Sequence, residues 1–305
     1  MNKSISAAKK LIGALAIPLI FAAVLLILCA ANGKSMIANR TSFNFFVLYT
    51  AIVMLTTMAL SINLNSGRFD FSLGSMAVLA SVLSSRISYT MLQGGPGSAA
   101  AMLLLSILIG ALLGLASGAL YVTLRIPPII ASLGVTLIFE GLTFTLSGGK
   151  YVMTEVRNAS ISAFAGNWIW SLLVIAASLF IVIWLFDHTK FGYDYNALKN
   201  GQKVAVNTGV REVPNALFCY AICGALMGTV GFLQVARSNS INGGSLNFAS
   251  ISIMFTAFLP MFIGGYIGRY VNEKQGICLQ PSACRCSILP LLHFPTKLAP
   301  RRSRS

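Results

Sequence analysis

Eight apolar runs limit what this chain can fold into. They cover residues 11–31, 45–64, 71–91, 99–124, 129–146, 168–186, 215–236 and 250–267. Each is long enough to cross or deeply enter a bilayer, which takes about 20 residues of helix. Hydrocarbon offers no water to backbone N–H and C=O groups, so such runs must be helical. The predicted fold is therefore all-α, a polytopic transmembrane helical bundle of about eight spans. Composition agrees: only 10% of the 305 residues are charged, where a soluble domain carries roughly 25%.

The net charge of +15 does not point to nucleic acid, because the cations lie between apolar runs rather than on one face. They orient the spans instead. With the N-terminus inside, the inner connections hold eleven cations and the outer ones six, leaving out the C-terminal tail. This bias predicts a cytosolic N-terminus. The run 11–31 is longer than the core of a cleaved signal and reads as an uncleaved first span. Trp168 and Trp170 suit an interfacial belt at the start of the sixth run. The segment 189–211 is the most basic connection before the tail, with Lys190, Lys199, Lys203 and Arg211. A substantial cytosolic loop of this kind is expected to meet a soluble partner.

Small residues recur at helix-packing spacing. Gly110, Gly114 and Gly118 form one stripe, and Gly224 and Gly228 another. Such stripes let backbones approach closely in lipid. After Gly276 the character changes to Cys278, Cys284, Cys286, scattered prolines and a basic end. The domain reading is a transmembrane unit over 1–276, containing a cytosolic loop at 187–214, and an atypical, poorly ordered tail over 277–305. The abrupt change suggests a truncated or frame-shifted end. The tail cysteines with His293 fit none of the usual paired-cysteine spacings, and Cys219 and Cys223 share a helix face with no His or carboxylate to join them, so no metal and no cofactor is expected.

Enzymatic motifs are lacking. Ser147-Gly148-Gly149-Lys150 fails as a phosphate loop, because Phe144 stands where its first glycine belongs and Tyr151 replaces Ser or Thr. The chain is read as a non-enzyme, and any ATP that drives it is hydrolysed by another subunit. Few ionisable residues fall inside the runs. Asp70 precedes the third run, where a carboxylate caps a helix and faces its positive end. Glu140 lies well inside the fifth run, and an intramembrane charge is a functional candidate by default. The competing reading puts Glu140 near the outer surface or beside a cation. Pro127-Pro128 opens the same run and makes a stiff break suited to a translocation path. Asn63, Asn65, Thr136, Gln234 and Asn242 lie near span ends, either to bind a hydroxylated solute or to bond backbone. The candidate path is thus Asn63, Asn65, Asp70, Thr136, Glu140 and Gln234.

Three segments carry a family resemblance: Arg68-Phe69-Asp70-Phe71-Ser72-Leu73-Gly74-Ser75, then residues 124–134 beginning Leu124-Arg125-Ile126-Pro127-Pro128, then Leu146-Ser147-Gly148-Gly149. In this order they resemble the permease subunits of ribose-type ABC importers of the bacterial cytoplasmic (inner) membrane. The likeness covers residues 63–265 and implies import of a simple sugar or related small hydroxylated solute. It also implies an ABC ATPase subunit, a second permease chain (identical or not), an extracytoplasmic solute-binding protein and surrounding membrane lipid as partners. The loop resembles the family's coupling loop, in which a short cytosolic helix docks on the ATPase. Gly192, Ala197, Lys199, Lys203, Ala205, Gly209 and Arg211 are the coupling candidates that follow. Small Ala205 suits close docking, and Gly209 suits a sharp chain reversal. Two other readings stay open at this level: an ion-coupled secondary transporter using Glu140, and a structural or sensory membrane protein without transport.

Overall fold

The computed structural model describes residues 40–262, apart from 125, 153, 154, 157 and 245. The run 11–31, the end of the last run and the segment 277–305 lie outside the described residues. Within them the other runs coincide with helices: α1 (Arg40–Asn65), α2 (Leu73–Leu92), α3 (Ser98–Leu124), α4 (Pro128–Ser147), α6 (Trp168–His188), α9 (Glu212–Ser238) and α10 (Ile251–Phe255). Between them lie β1 (Tyr151–Val152), α5 (Ala159–Ala165), α7 (Lys190–Asn200), α8 (Gln202–Asn207) and β2 (Ile241–Asn242). The helix α10 resumes after a break at Thr256 and Ala257, so that the apolar segment extends over Ile251–Phe262.

The connections gather alternately at two ends of the bundle. At one end, α7 reaches the last turn of α1, and the Asn215 amide at the start of α9 donates to the Phe191 carbonyl at 3.2 Å. At the other, β1 and β2 pair antiparallel, with Tyr151 opposite Asn242 and Val152 opposite Ile241. There the Ser160 hydroxyl also donates to the Gly95 carbonyl at 3.0 Å, and the Asn44 amide donates to Gly166. Asn167 and Asn158 cap α6 and α5, supplying side-chain oxygens to otherwise unpaired N–H groups.

The most extensive helix packing is that of the buried α9 with α3. The two glycine stripes face one another across it. A Cβ on Gly224 would stand 2.1 Å from the Gly110 carbonyl oxygen, and one on Gly228 2.0 Å from that of Ser106. Only bare backbone permits this approach, which gains dispersion contacts where lipid supplies no hydrophobic drive. Around this pair stand α1 and α2.

Five described helices, α1, α3, α4, α6 and α9, are long and apolar enough to cross a membrane. The helix α2 is more polar, carrying Arg86 and a row of serines, and it packs against α3, α4, α9 and α10. Ser75, Ser81, Ser84 and Ser85 are buried, each hydroxyl donating to a carbonyl three residues earlier. The neighbouring helices shield this polar element from lipid, so its backbone and side chains are satisfied internally.

Candidate functional site

A cavity of about 370 Å³ opens among α2, α4, α9, the β1–β2 pair and the segment leading into α10. Its polar lining includes Ser75, Glu140, Thr143, Gln234, Asn242 and Ser252. Among the described residues the half-buried Gln234 side chain has no hydrogen-bond partner, so its amide is free to donate and accept. Arg237 stands at the rim, its guanidinium 5.5 Å above the Tyr49 ring.

Glu140 is 3% exposed and faces this cavity, yet its carboxylate is already engaged. One oxygen accepts the Phe248 N–H at 2.9 Å; the other accepts the Ser250 N–H at 2.9 Å and the Ser250 hydroxyl. The residue is therefore held by backbone N–H groups and a hydroxyl, with no cation paired to it among the described residues. Charge-assisted bonds of this kind are the stronger ones. They fix a backbone that is itself unusual: Asn247 and Phe248 both have φ of +64°. Across the segment, the Ser250 carbonyl presses on Gly74, where a Cβ would come within 2.0 Å.

A second polar cluster surrounds the turn between α1 and α2. Asp70, fully buried, accepts the Ser72 N–H at 2.8 Å, the Ser72 hydroxyl at 2.6 Å and the Asn63 amide at 3.3 Å. The carboxylate sits just before α2 and holds its N-cap residue Ser72, rather than accepting from a helical N–H as a cap would. Asn63 in turn accepts from the Cys223 thiol at 3.3 Å, tying α1 to α9. Arg68 is 5% exposed and pairs with Glu212 at 3.9 Å.

The basic loop folds into α7 and α8. On α7 the residues Phe191, Tyr195 and Leu198 turn inward, and Tyr195 packs edge-on against Phe186 with ring centroids 4.9 Å apart. Gly192 meets the end of α6 so closely that a Cβ would stand 1.9 Å from the Phe186 carbonyl oxygen. Gly209 ends α8 at a φ of +94°, and the Val210 N–H donates back to the Ala205 carbonyl at 3.0 Å, a left-handed helix stop. Ala205 itself is 4% exposed, so its small side chain serves packing within the chain. The outward face carries Tyr193, Val204 and Val206, with exposed Ala197, Lys199, Lys203 and Arg211 around them.

Of the six predicted path residues, Glu140 and Gln234 meet at the cavity. Asn63 and Asp70 belong to the second cluster, and Asn65 is half-buried at the end of α1. Thr136 is buried and its hydroxyl donates to the Ser132 carbonyl of its own helix at 2.7 Å. Sequence alone assigned no site role to Tyr195, Ser250, Val204 or Arg68. For Tyr195 a signal existed: Phe191, Tyr195 and Leu198 repeat at helical spacing within an otherwise polar loop. Ser250 carried none, since its partner lies 110 residues away.

A family model described as "Branched-chain amino acid transport system / permease component" matches residues 42–272. The autoinducer 2 import system permease protein LsrC of Yersinia pseudotuberculosis (serotype O:1b, strain IP 31758) is 28% identical over 290 residues, covering 87% of this chain and 79% of the relative. The LsrC of Yersinia pestis (strain Pestoides F) is equally similar, at 28% with the same coverage. No solved structure matches the chain. Since the family model spans well over half of the sequence, and the bundle is helical with several apolar spans, the chain belongs to this family of ABC importer permeases as a multi-pass membrane protein.

Proposed function

We propose that the chain imports a simple sugar or related small hydroxylated solute across the bacterial cytoplasmic membrane, with separate ATPase subunits supplying the energy. The observation that carries the solute class is the cavity between α2, α4 and α9, where the Gln234 amide can donate and accept, and the hydroxyl oxygens of Ser75, Thr143 and Ser252, whose protons are given to carbonyls of their own segments, are left to accept from a solute. A neutral polyhydroxylated molecule pairs with such a lining without bringing a charge into the bundle. The similarity to permeases of autoinducer 2 import makes that compound one solute to try.

In this reading the end bearing α7 and α8 faces the cytosol, in line with the positive-inside bias. The loop 187–214 docks on the ATPase through Tyr193, Val204 and Val206, and Lys199, Lys203 and Arg211 steer the encounter. The chain itself performs no catalysis. A second permease chain completes the pathway, and an extracytoplasmic binding protein delivers solute to the β1–β2 end. ATP binding biases an equilibrium between outward- and inward-open states.

The experiment is ATP-dependent uptake into liposomes holding the chain with its ATPase and binding-protein partners, using labelled D-ribose and labelled autoinducer 2. Gln234→Leu is expected to lower uptake of the transported probe about tenfold, as loss of a buried polar pairing does. Uptake that is independent of ATP, or unaffected by Gln234→Leu, contradicts the reading.

A further inference from the structure

The segment between β2 and α10 does not stay at the end of the bundle where it starts. Gly243 and Gly244 lie against Ser147, Gly149 and Lys150 at the β1–β2 end. By Ser250 the chain has reached the first turn of α2, where its carbonyl presses on Gly74. From there the apolar segment Ile251–Phe262 continues to the turn between α1 and α2, where Phe258 packs on Phe69 with ring centroids 5.8 Å apart. The segment therefore separates the cavity from the Arg68–Asp70 turn. Its backbone has no sheet to hold it and passes through two left-handed residues that are not glycine. Such conformations persist only where the surroundings over-determine them. The Glu140 carboxylate supplies that determination through its three bonds to Phe248 and Ser250.

We infer that Glu140 is a positioning residue that holds residues 247–250 in place as the inner floor of the solute cavity. The inference rests on the importer reading above and gives Glu140 a role distinct from binding solute or carrying an ion. A buried carboxylate suits the task because it accepts from two N–H groups and a hydroxyl at once, which a neutral amide cannot do. With the floor held, solute entering the cavity waits there until the coupled conformational step. With the floor released, ATP turnover continues while solute is not retained.

The test uses the full chain reconstituted with its ATPase and binding-protein partners, as wild type, Glu140→Gln, Ser250→Ala and the double variant. Hydrogen exchange of the 247–250 amides reads the floor directly. The ratio of solute moved to ATP hydrolysed, with labelled D-ribose and autoinducer 2 as probes, reads its function. Glu140→Gln is expected to speed exchange about tenfold and to lower solute moved per ATP by about fivefold to tenfold, with ATPase rate within twofold of wild type. Ser250→Ala shifts both readouts the same way by less, and the double variant is no worse than Glu140→Gln, because the two residues act as one unit. Unchanged exchange in Glu140→Gln overturns the inference. So does a fall in ATPase and uptake in equal proportion, which marks a merely structural role. If Glu140→Gln does not accumulate, Ser250→Ala decides by the same two readouts. If the wild type moves neither probe, the proposed solute class fails by itself, and exchange at 247–250 still supports or overturns the clamp.

Discussion

The Tyr195 hydroxyl donates to the Ile62 carbonyl at 2.9 Å, so the helix in the basic loop is bonded to the last turn of α1. The next residue along, Asn63, donates to Asp70, and Phe69 beside it packs on Phe258. A parallel connection runs from Gln202 at the start of α8 to Glu212 at 2.6 Å, and from Glu212 to Arg68. Both reach the same turn between α1 and α2. Together they link α7 and α8 to that turn through packed and hydrogen-bonded contacts, and in the importer proposed above such a network carries movement of the loop toward the cavity floor.

Tyr195→Phe tests the first connection. It keeps the ring packed against Phe186 and removes one hydrogen bond, a loss of about 1 kcal/mol. The Ile62 carbonyl still accepts from Ser66 at 3.2 Å. The folded bundle is therefore expected to survive, with ATPase activity of the assembled complex near wild type and uptake lowered about fivefold. Uptake equal to wild type in the liposome assay removes Tyr195 from the coupling route.

Val204 is 69% exposed on α8 and Tyr193 65% exposed on α7. Exposed apolar side chains in a basic loop fit the anchors of a docking surface, where a few residues carry most of the affinity. Val204→Asp is expected to weaken copurification with the ATPase by at least about tenfold without loss of folded protein. Lys199→Ala should act differently, slowing association in a salt-dependent way. Retained copurification with Val204→Asp rejects this face.

Gly224→Val attacks the core instead. Its Cβ would stand 2.1 Å from the Gly110 carbonyl oxygen, so α3 and α9 must move apart. Overpacking of this kind costs about 1–3 kcal/mol. Gly134→Ala is the control, because nothing lies within 4 Å of a Cβ there. Thermal unfolding of the detergent-solubilised protein should drop several degrees for the first and stay put for the second.

Helix identity was legible in the sequence because lipid leaves an apolar run no alternative. The seven runs at 45–64 and beyond became helices on that ground alone. The resemblance carried by Arg68–Ser75 and the Pro127-Pro128 segment pointed to the permease family that the comparisons show. The glycine stripes announced close packing, and the left-handed Gly209 stands where a chain reversal was expected. These features depend on spacing within one segment, so a linear reading reaches them.

Other features depend on which segments meet. The sequence marked Glu140 as an unusual charge, but only the tertiary structure supplied its partners, Phe248 and Ser250, from more than a hundred residues away. Ala205 looked like a docking residue, and packing turned it inward while leaving Val204 outside. The sequence by itself determined that the chain is a bundle of lipid-spanning helices, because the bilayer imposes that solution residue by residue. The tertiary structure decided which polar groups are spent on holding the chain and which, like the Gln234 amide, face the cavity unbonded. That division follows from hydrogen bonds between distant segments, each of which becomes favourable only once the helices have packed.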